Sequence, residues 1–359
     1  MEPKFEYTLN NHFKWGYGDE WHNRPDPTKQ FKIMLGSQSR PLMSFRDECI
    51  EAARLIGERA TKPIIVGLSG GSDSQIACLA FREAKVPFSV VIVRMFDKDN
   101  NHINDFDIKT AYEFCRVYNI DYIEHSINVD EFYRGQGSEY AARYAFTHPN
   151  VIVQASTMDF VGPNYCYIMA GGDIVFCPYK SGMTPDLQLP RIPNVLNGIV
   201  NTPVWWYGTQ PIMQHMIESG FEGTSKFFMY TPELLLSFLK DPVVRDFINA
   251  VNPIYEVYIS WSIPENWWKC FQMLIKPMVT MREWPEMIPA RKYTGFEMLD
   301  KARSENSNIS MSKMYHTLLL EAAKEVQHNN QLIATTMPDL IKYLETPHDH
   351  PLVSTRLVR

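Results

Sequence analysis

Residues 64–74 read Ile64-Ile65-Val66-Gly67-Leu68-Ser69-Gly70-Gly71-Ser72-Asp73-Ser74, a short apolar run followed at once by a loop of small and polar residues. The apolar half is rich in β-branched residues, which is typical of a strand buried on both faces of a sheet. Beyond the loop, apolar residues recur with helical spacing at Ile76, Leu79, Ala80 and Ala84. The stretch therefore predicts a strand, a tight loop and a helix in immediate succession.

The chain beyond this stretch continues to alternate between strand-like and helix-like patterns. Apolar runs predict strands over 88–93, 121–129 and 165–170, and apolar stripes predict helices over 107–118 and much of 131–160. Such alternation is the pattern of a parallel α/β sheet with right-handed crossovers. Ligands of these sheets bind at the carboxyl ends of the strands, which is where the glycine loop falls.

The flanking segments differ from this central pattern. Residues 1–58 are a predicted N-terminal extension, with a short strand over 31–35 and a helix that Ser44 caps. The α/β domain is predicted over 59–200, although 178–225 is rich in Pro, Gly and Asn and indicates a long loop region. The remainder, 201–359, is predicted to be a mainly helical region for substrate binding or oligomerisation. Its helix-compatible patterns cover 232–250, 264–278, 310–327 and 337–345.

Composition narrows the classes of protein that this sequence encodes. The 359 residues carry a net charge of -6 without a long basic run, so a surface built for duplex nucleic acid is not indicated. None of the 6 cysteines forms a C-x-x-C pair, which favours a reducing compartment. The N-terminus lacks the apolar core of a signal peptide, and no stretch approaches the roughly 20 apolar residues of a membrane span. These features predict a soluble, cytoplasmic protein.

The loop 69–74 has the chemistry of a phosphate cradle. Gly70 and Gly71 permit a positive φ angle and a close approach of the backbone to a ligand. Backbone N–H groups at the start of the following helix attract an anion, and the serine hydroxyls of the loop add donors. Asp73 would repel phosphate, so the sequence predicts a Mg²⁺ ion that bridges Asp73 to phosphate oxygens. The alternative is a strand-to-helix turn that merely uses small residues.

This loop resembles the S-G-G-x-D-S signature of the PP-loop ATP pyrophosphatase superfamily, also called adenine nucleotide α-hydrolase-like, which includes asparagine synthetase, NAD synthetase and phosphoadenylylsulfate reductase. The likeness extends over about residues 60–180. It implies a sheet like that of flavodoxin-like folds, pyrophosphate bound by the loop, and adenine bound near the end of the second strand, at Val93 and Arg94. It also implies ATP and Mg²⁺ as cofactors and an attack at the α-phosphate that yields an adenylated substrate and pyrophosphate. The alternative is that Arg94 is a surface residue at the start of a loop.

The sequence departs from several branches of this superfamily. It lacks the paired cysteines of the tRNA thiolases, and its last cysteine, Cys270, stands well before the position of the C-terminal cysteine in the reductases. It begins Met1-Glu2, without the N-terminal cysteine nucleophile of a fused glutaminase domain. Ammonia is therefore expected to come free or from a partner protein.

Four further residues are candidates for the site. Asp173 ends the stretch Gly171-Gly172-Asp173 after the fourth predicted strand and is a candidate second Mg²⁺ ligand. The alternative is that Asp173 only caps the glycine turn. Lys180 is a candidate for stabilising charge on the α-phosphate and pyrophosphate, with a solvated loop lysine as the alternative. Arg291 and Lys292 are candidates for binding a carboxylate or phosphate of the second substrate, with a helix-entry loop as the alternative.

The sequence therefore predicts an ATP-dependent, AMP-forming enzyme. The favoured reaction adenylates a small-molecule substrate, and a nitrogen nucleophile then displaces AMP, as in amide ligases similar to asparagine synthetase. One alternative is sulfur or sulfonucleotide chemistry like that of phosphoadenylylsulfate reductase, and another is a nucleotide-binding sensor without turnover. A separate ammonia or sulfur donor protein and a second copy of the chain stay open as partners; neither a membrane nor a nucleic acid is expected.

Overall fold

The strand, loop and helix predicted over 64–84 are all present in the computed structural model of the protein. The structure describes residues 13–17, 20–21, 31–145, 149–171, 176–180, 199–203, 209–257, 274–289, 309–325, 327–332, 337–348 and 353–358. Its strands are β1 (Phe13–Tyr17), β2 (Glu20–Trp21), β3 (Phe31–Leu35), β4 (Ile64–Gly67), β5 (Phe88–Phe96), β6 (Tyr122–Asn128), β7 (Cys166–Met169), β8 (Phe176–Lys180), β9 (Ile199–Pro203), β10 (Glu222–Thr224), β11 (Gln327–Leu332) and β12 (Val353–Val358).

The helices are α1 (Phe45–Arg59), α2 (Ser72–Glu83), α3 (Asp105–Tyr118), α4 (Val129–Arg134), α5 (Gln136–Tyr144), α6 (Pro149–Val161), α7 (Thr209–Ser219), α8 (Pro232–Leu239), α9 (Pro242–Val257), α10 (Lys276–Glu283), α11 (Met311–Ala322) and α12 (Met337–Glu345). As predicted, Ser44 caps α1 by accepting a hydrogen bond from the Asp47 N–H. Within the described ranges, no helix combines the length and the apolar character that spanning a bilayer requires.

The central sheet is parallel and has five strands in the order β10-β7-β4-β5-β6. The first of these strands in the chain, β4, lies in the middle, because the chain runs outward through β5 to β6 and then returns to β7 on the other side. This order differs from the flavodoxin-like one, which would place the third strand beside the first. The order reverses between β4 and β7, and ligands of such sheets bind at this reversal.

Helices cover both faces of the central sheet, which explains the uninterrupted apolar run of β4. Ile64 and Val66 point into a core that they share with α1, α2 and α3. Ile65 points to the opposite face, into a core built with α4, α5 and α6. Each fully buried side chain of this kind contributes about 1.5–3 kcal/mol. The predicted fold class, a parallel α/β sheet with a largely helical C-terminal part, is confirmed.

A second sheet, which the sequence did not predict, joins the two ends of the chain. It is antiparallel, with the order β11-β12-β3-β1-β2. The predicted strand at 31–35 is its middle member β3, and Phe31, Ile33 and Leu35 are buried on one face of it. The N-terminal extension and the C-terminal region thus share one sheet. The predicted domain boundaries near residues 58 and 200 stay predictions.

The segment 178–225 is more regular than its composition indicated. It contains part of the hairpin β8–β9, and also helix α7 and the sheet strand β10. Gly223 made the strand resemble a loop, yet the sheet requires a glycine there. Its φ angle is +137°, and a Cβ atom would lie 1.9 Å from the Tyr167 carbonyl oxygen. The expectation of a long loop is therefore wrong for the described part of this segment.

Candidate functional site

The Ser74 hydroxyl closes the loop 69–74 at the carboxyl end of β4. Ser74 Oγ donates to the Gly71 carbonyl oxygen at 3.0 Å and accepts from the Ser69 N–H at 3.2 Å. The Ser69 hydroxyl lies 3.2 Å from the same Ser74 oxygen. Ser74 is buried, whereas Ser69 is exposed. Hydrogen bonds on the buried side of the turn thus hold its shape, and its outer side is exposed to solvent.

Gly70 is the position where the loop needs a glycine. Its φ angle is +82°, a left-handed conformation, and it packs against α3. A Cβ atom on Gly70 would lie 2.4 Å from the Asp107 carbonyl oxygen and 3.1 Å from the Ala111 nitrogen. Backbone atoms of a helix cannot move aside easily, so a larger residue would displace the loop from α3.

Replacing Gly70 by alanine is expected to destabilise the protein by about 3 kcal/mol, because the left-handed conformation and the clash with α3 both oppose it. Gly162→Ala is the matched control, since Gly162 has a φ angle of +80° with nothing within 4 Å of the added Cβ. For the control we expect a loss of about 1 kcal/mol from the backbone conformation alone. Urea unfolding of the two variants measures the difference, and equal losses would contradict the packing of Gly70 against α3.

Helix α2 begins without a side-chain cap and so offers backbone donors to the loop. Its N-cap is Gly71, which has extended backbone angles and no side chain to accept a hydrogen bond. The first helical bond runs from the Gln75 N–H to the Gly71 carbonyl oxygen at 3.1 Å. N–H groups before such a bond have no acceptor within the helix, and the helix dipole adds positive potential there. This end of α2 therefore favours an anion.

Lys276 reaches the loop from the C-terminal region. Its Nζ atom donates to Asp73 Oδ2 at 2.8 Å. The Lys276 side chain is only 8% exposed, and that of Asp73 is 26% exposed. Burying an ammonium group is costly without an anion beside it, so the pair attaches the start of α10 to the loop. One carboxylate thus faces two sources of positive charge, the ammonium group and the helix terminus, and the surplus attracts a further anion.

Gln75 makes a second connection between the loop and this region. Its Nε2 atom donates to the carbonyl oxygens of Gly70 at 2.8 Å and Ile288 at 2.9 Å. Its Oε1 atom accepts from the Ile288 N–H at 2.8 Å. The residue is completely buried. The loop is therefore joined to the segment 276–288 at both ends of that segment.

The described residues fit a Mg²⁺ ion that is held mainly by phosphate. Asp73 supplies one carboxylate at the loop, and its Oδ1 atom accepts a long 3.4 Å contact from Ser72 Oγ. Mg²⁺ in nucleotide sites is commonly bound by one or two carboxylates together with substrate phosphates. No group of three or more His, Cys, Asp or Glu side chains arranged for a metal occurs in the described part of the chain. Among the described residues, Asp73 is the one at the loop that would hold the ion.

Val93 and Arg94, predicted to bind adenine, lie near the end of β5 with partners of their own. The Val93 carbonyl oxygen accepts from Asn104 Nδ2 at 2.7 Å. Arg94 pairs with Glu124 at 3.2 Å and lies over the ring of Tyr112. Their contact with a nucleotide stays a prediction, and it would require Arg94 to share or leave its ion pair.

The end of β7 meets a second lysine that the sequence did not single out. Gly171 follows β7, and its carbonyl oxygen accepts from the Phe228 N–H at 3.1 Å. Lys226, just beyond β10, brings its Nζ atom within 3.7 Å of where a Cβ on Gly171 would lie. Lys226 thus lies at the carboxyl end of β7, and β7 is the neighbour of β4, the strand that leads into the loop 69–74.

The other predicted site residues are not brought to the loop by any described contact. Lys180 is the last residue of β8, where its backbone pairs with Ile199 of β9. Asp173, Arg291 and Lys292 lie outside the described residues. Their roles stay predictions.

Sequence reasoning missed Lys276, Lys226 and Gln75. Lys276 had a usable signal, since it is a single lysine in the apolar stretch Leu274-Ile275-Lys276-Pro277-Met278. Lys226 could have been found only if strand β10 had been recognised before it. Gln75 directly follows the glycine loop, where a polar residue on the buried face of a helix is unusual.

Comparisons with known proteins give structural neighbours only. No protein-family model and no curated protein sequence matches the chain. Similar solved structures include an NMN synthetase from Francisella tularensis, at 19% identity over 34% of this chain and 52% of that one, with a TM-score of 0.26. They also include the NH3-dependent NAD synthetase of Campylobacter jejuni, at 13% identity over 69% of this chain and 98% of that one, with a TM-score of 0.28.

A glutamine-dependent NAD+ synthetase from Acinetobacter baumannii is also similar, at 12% identity over 79% of this chain and 54% of that one, with a TM-score of 0.30. The chain thus spans about half the length of this enzyme and of the NMN synthetase. Because all three TM-scores are low, the properties of these enzymes are not transferred to this chain.

Proposed function

We propose that this chain binds ATP with its phosphates at the loop 69–74 and cleaves it between the α- and β-phosphates. The observation that carries the proposal is the Asp73–Lys276 pair at the uncapped start of α2. It stands where the strand order reverses, at the carboxyl end of β4. The signature Ser69-Gly70-Gly71-Ser72-Asp73-Ser74 supports ATP as the ligand through its resemblance to the PP-loop superfamily.

The loop is suited to holding pyrophosphate as it leaves. Negative charge builds up on the departing β-phosphate oxygen, and the N–H groups at the start of α2 are already oriented toward an anion. Lys276 adds a positive charge in a largely buried position, where an electrostatic interaction is stronger than in water. Catalysis of this kind consists mainly of positioning and charge stabilisation, without a general acid or base.

Asp73 has a distinct role in this proposal. Its carboxylate would hold the Mg²⁺ ion, which, when bound, supplies positive charge to the phosphate oxygens. With Asp73 holding the ion, the Lys276 ammonium group would interact with the phosphates instead. Asp73 and Lys276 thus pair with each other without nucleotide and both interact with nucleotide when it is bound.

The finer reaction that we propose is adenylation of a small-molecule substrate followed by attack of a nitrogen nucleophile. Four described cysteines argue against sulfur chemistry, because Cys49, Cys78, Cys115 and Cys166 are free but buried. Burial raises the pKa of each thiol, to about 11 for Cys115, so few thiolates form near neutral pH. A sensor that only binds nucleotide is the other candidate, and the presence of a metal-binding carboxylate at the loop speaks against it.

The proposal predicts release of AMP and pyrophosphate from α-labelled ATP with Mg²⁺ when the correct acceptor is present. The assay uses a panel of carboxylates, modified bases and thiol donors, each with and without ammonia. Products that depend on one carboxylate and on ammonia would support the amide-forming reaction. Dependence on a thiol donor instead would favour sulfur chemistry, binding without turnover would favour the sensor, and ADP with phosphate would contradict α–β cleavage.

A further inference from the structure

We infer that Gln75 is a positioning residue, which orients the Gly71 N–H toward a bound phosphate and couples the loop to the segment 284–289. The inference rests on the proposed function, since it describes how the same loop holds its phosphate donors. Gln75 is completely buried, and its carboxamide group makes three hydrogen bonds to two separate parts of the backbone.

The contact with Gly70 determines the direction of the next backbone N–H. A peptide group is planar and trans, so the Gly71 N–H points opposite to the Gly70 carbonyl. The carbonyl is turned inward to Gln75 Nε2 at 2.8 Å. The Gly71 N–H is therefore turned outward, where it makes a long 3.4 Å contact with Ser69 Oγ. Because neither Gly70 nor Gly71 has a Cβ atom, this peptide would rotate easily without Gln75.

The contact with Ile288 extends this arrangement to the C-terminal region. Gln75 pairs with both backbone groups of Ile288, as a neighbouring strand would. The helix α10, which leads into 284–289, is attached to the loop at its start, where Lys276 donates to Asp73. A phosphate that orders the loop is thus expected to order residues 284–289 as well.

Calorimetric titration with inorganic pyrophosphate tests the first part. In Gln75→Met the affinity for pyrophosphate is expected to fall about tenfold or more, because a donor to a charged ligand is no longer held in place. Gln214→Met is the matched control, since it replaces another buried glutamine, in α7. Its affinity is expected to stay within about twofold of the wild type.

Hydrogen exchange of the same proteins tests the coupling. In the wild type, pyrophosphate is expected to slow exchange in both 69–75 and 284–289. In Gln75→Met the response of 284–289 is expected to disappear while any remaining response is confined to the loop. A residue that only filled space would not link these two responses.

Gln75→Glu supplies a test that does not depend on the folding of the methionine variant. A carboxylate has nearly the shape of the glutamine carboxamide and still accepts from the Ile288 N–H, but it cannot donate to the Gly70 carbonyl oxygen. Pyrophosphate binding is therefore expected to weaken about tenfold or more in this variant too.

The outcomes separate this inference from the proposed function. Wild-type protein that binds neither pyrophosphate nor ATP would overturn both. Wild-type binding together with unchanged affinity in Gln75→Met or in Gln75→Glu would overturn the role of Gln75 alone.

Discussion

Asp73→Asn is expected to lower pyrophosphate release from Mg·ATP by about 10³-fold, because the neutral amide no longer holds the metal that neutralises phosphate charge. The side chain keeps its shape and still accepts from Lys276. Affinity for ATP without Mg²⁺ is expected to stay equal or rise, since a negative charge beside the phosphates is removed. Rates of pyrophosphate release and titrations with ATP, each with and without Mg²⁺, measure both effects.

Asp47→Asn is the matched control for this variant. Asp47 also lies in the first turn of a helix, α1, where its negative charge interacts favourably with the helix dipole. Its replacement is expected to leave pyrophosphate release unchanged. If Asp73→Asn released pyrophosphate at the wild-type rate, Asp73 would be only a helix-terminus residue paired with Lys276, and the metal would have to be held elsewhere.

The stability of Asp73→Asn bears on the interpretation of its activity. The substitution leaves the buried Lys276 ammonium group beside a neutral partner, at a cost of about 1–2 kcal/mol after allowing for the partial exposure of Asp73. The double variant Asp73→Asn with Lys276→Met removes that charge and is expected to recover part of the stability. Because it also lacks the metal ligand, it is expected to stay inactive, which would separate loss of folding from loss of catalysis.

The central strand, the loop and α2 were predictable because their signals are local. Strand β4 is an apolar run, the loop follows it directly, and the apolar stripe of α2 comes next, so residues 64–84 contain all of these signals. Ser44 was predictable as the cap of α1 for the same reason, because the helical pattern begins directly after it. Strand order depends instead on which strands pair across long separations, and no local signal in the sequence predicts it.

The rest of the site depends on contacts between distant parts of the chain. Lys276 is 203 residues from Asp73, and Ile288 is 213 residues from Gln75. No periodicity or motif reports such a pairing, because each partner satisfies its local pattern equally well without the other. Arg94 likewise pairs with Glu124 of the neighbouring strand β6, a partner that its own stretch of sequence does not indicate.

Lys276→Met is expected to reduce the rate of pyrophosphate release at saturating Mg·ATP by about 10²-fold, because one of the charges that stabilise the leaving group is lost. The folded state is expected to tolerate methionine, since the lysine stem lies in an apolar setting with Phe45, Phe228 and Phe238. Asp73 remains partly exposed beside the start of α2, so its charge stays solvated and favourably placed.

The dependence on Mg²⁺ distinguishes this role from a purely structural ion pair. Lys276→Met removes the ammonium group that competes with the metal for Asp73, so the Mg²⁺ concentration for half-maximal ATP binding is expected to fall while the rate of release also falls. Lys276→Arg keeps the charge and is expected to restore part of the rate, and Lys324→Met, which breaks an exposed pair with Glu321, serves as the control. A variant with an unchanged rate and unchanged Mg²⁺ dependence would show that the pair only attaches α10 to the loop. A lower rate of pyrophosphate release at a lower Mg²⁺ requirement would mean that the Asp73 carboxylate binds Lys276 before the metal arrives and the metal afterwards. The largely buried Asp73–Lys276 pair would then take part in the reaction.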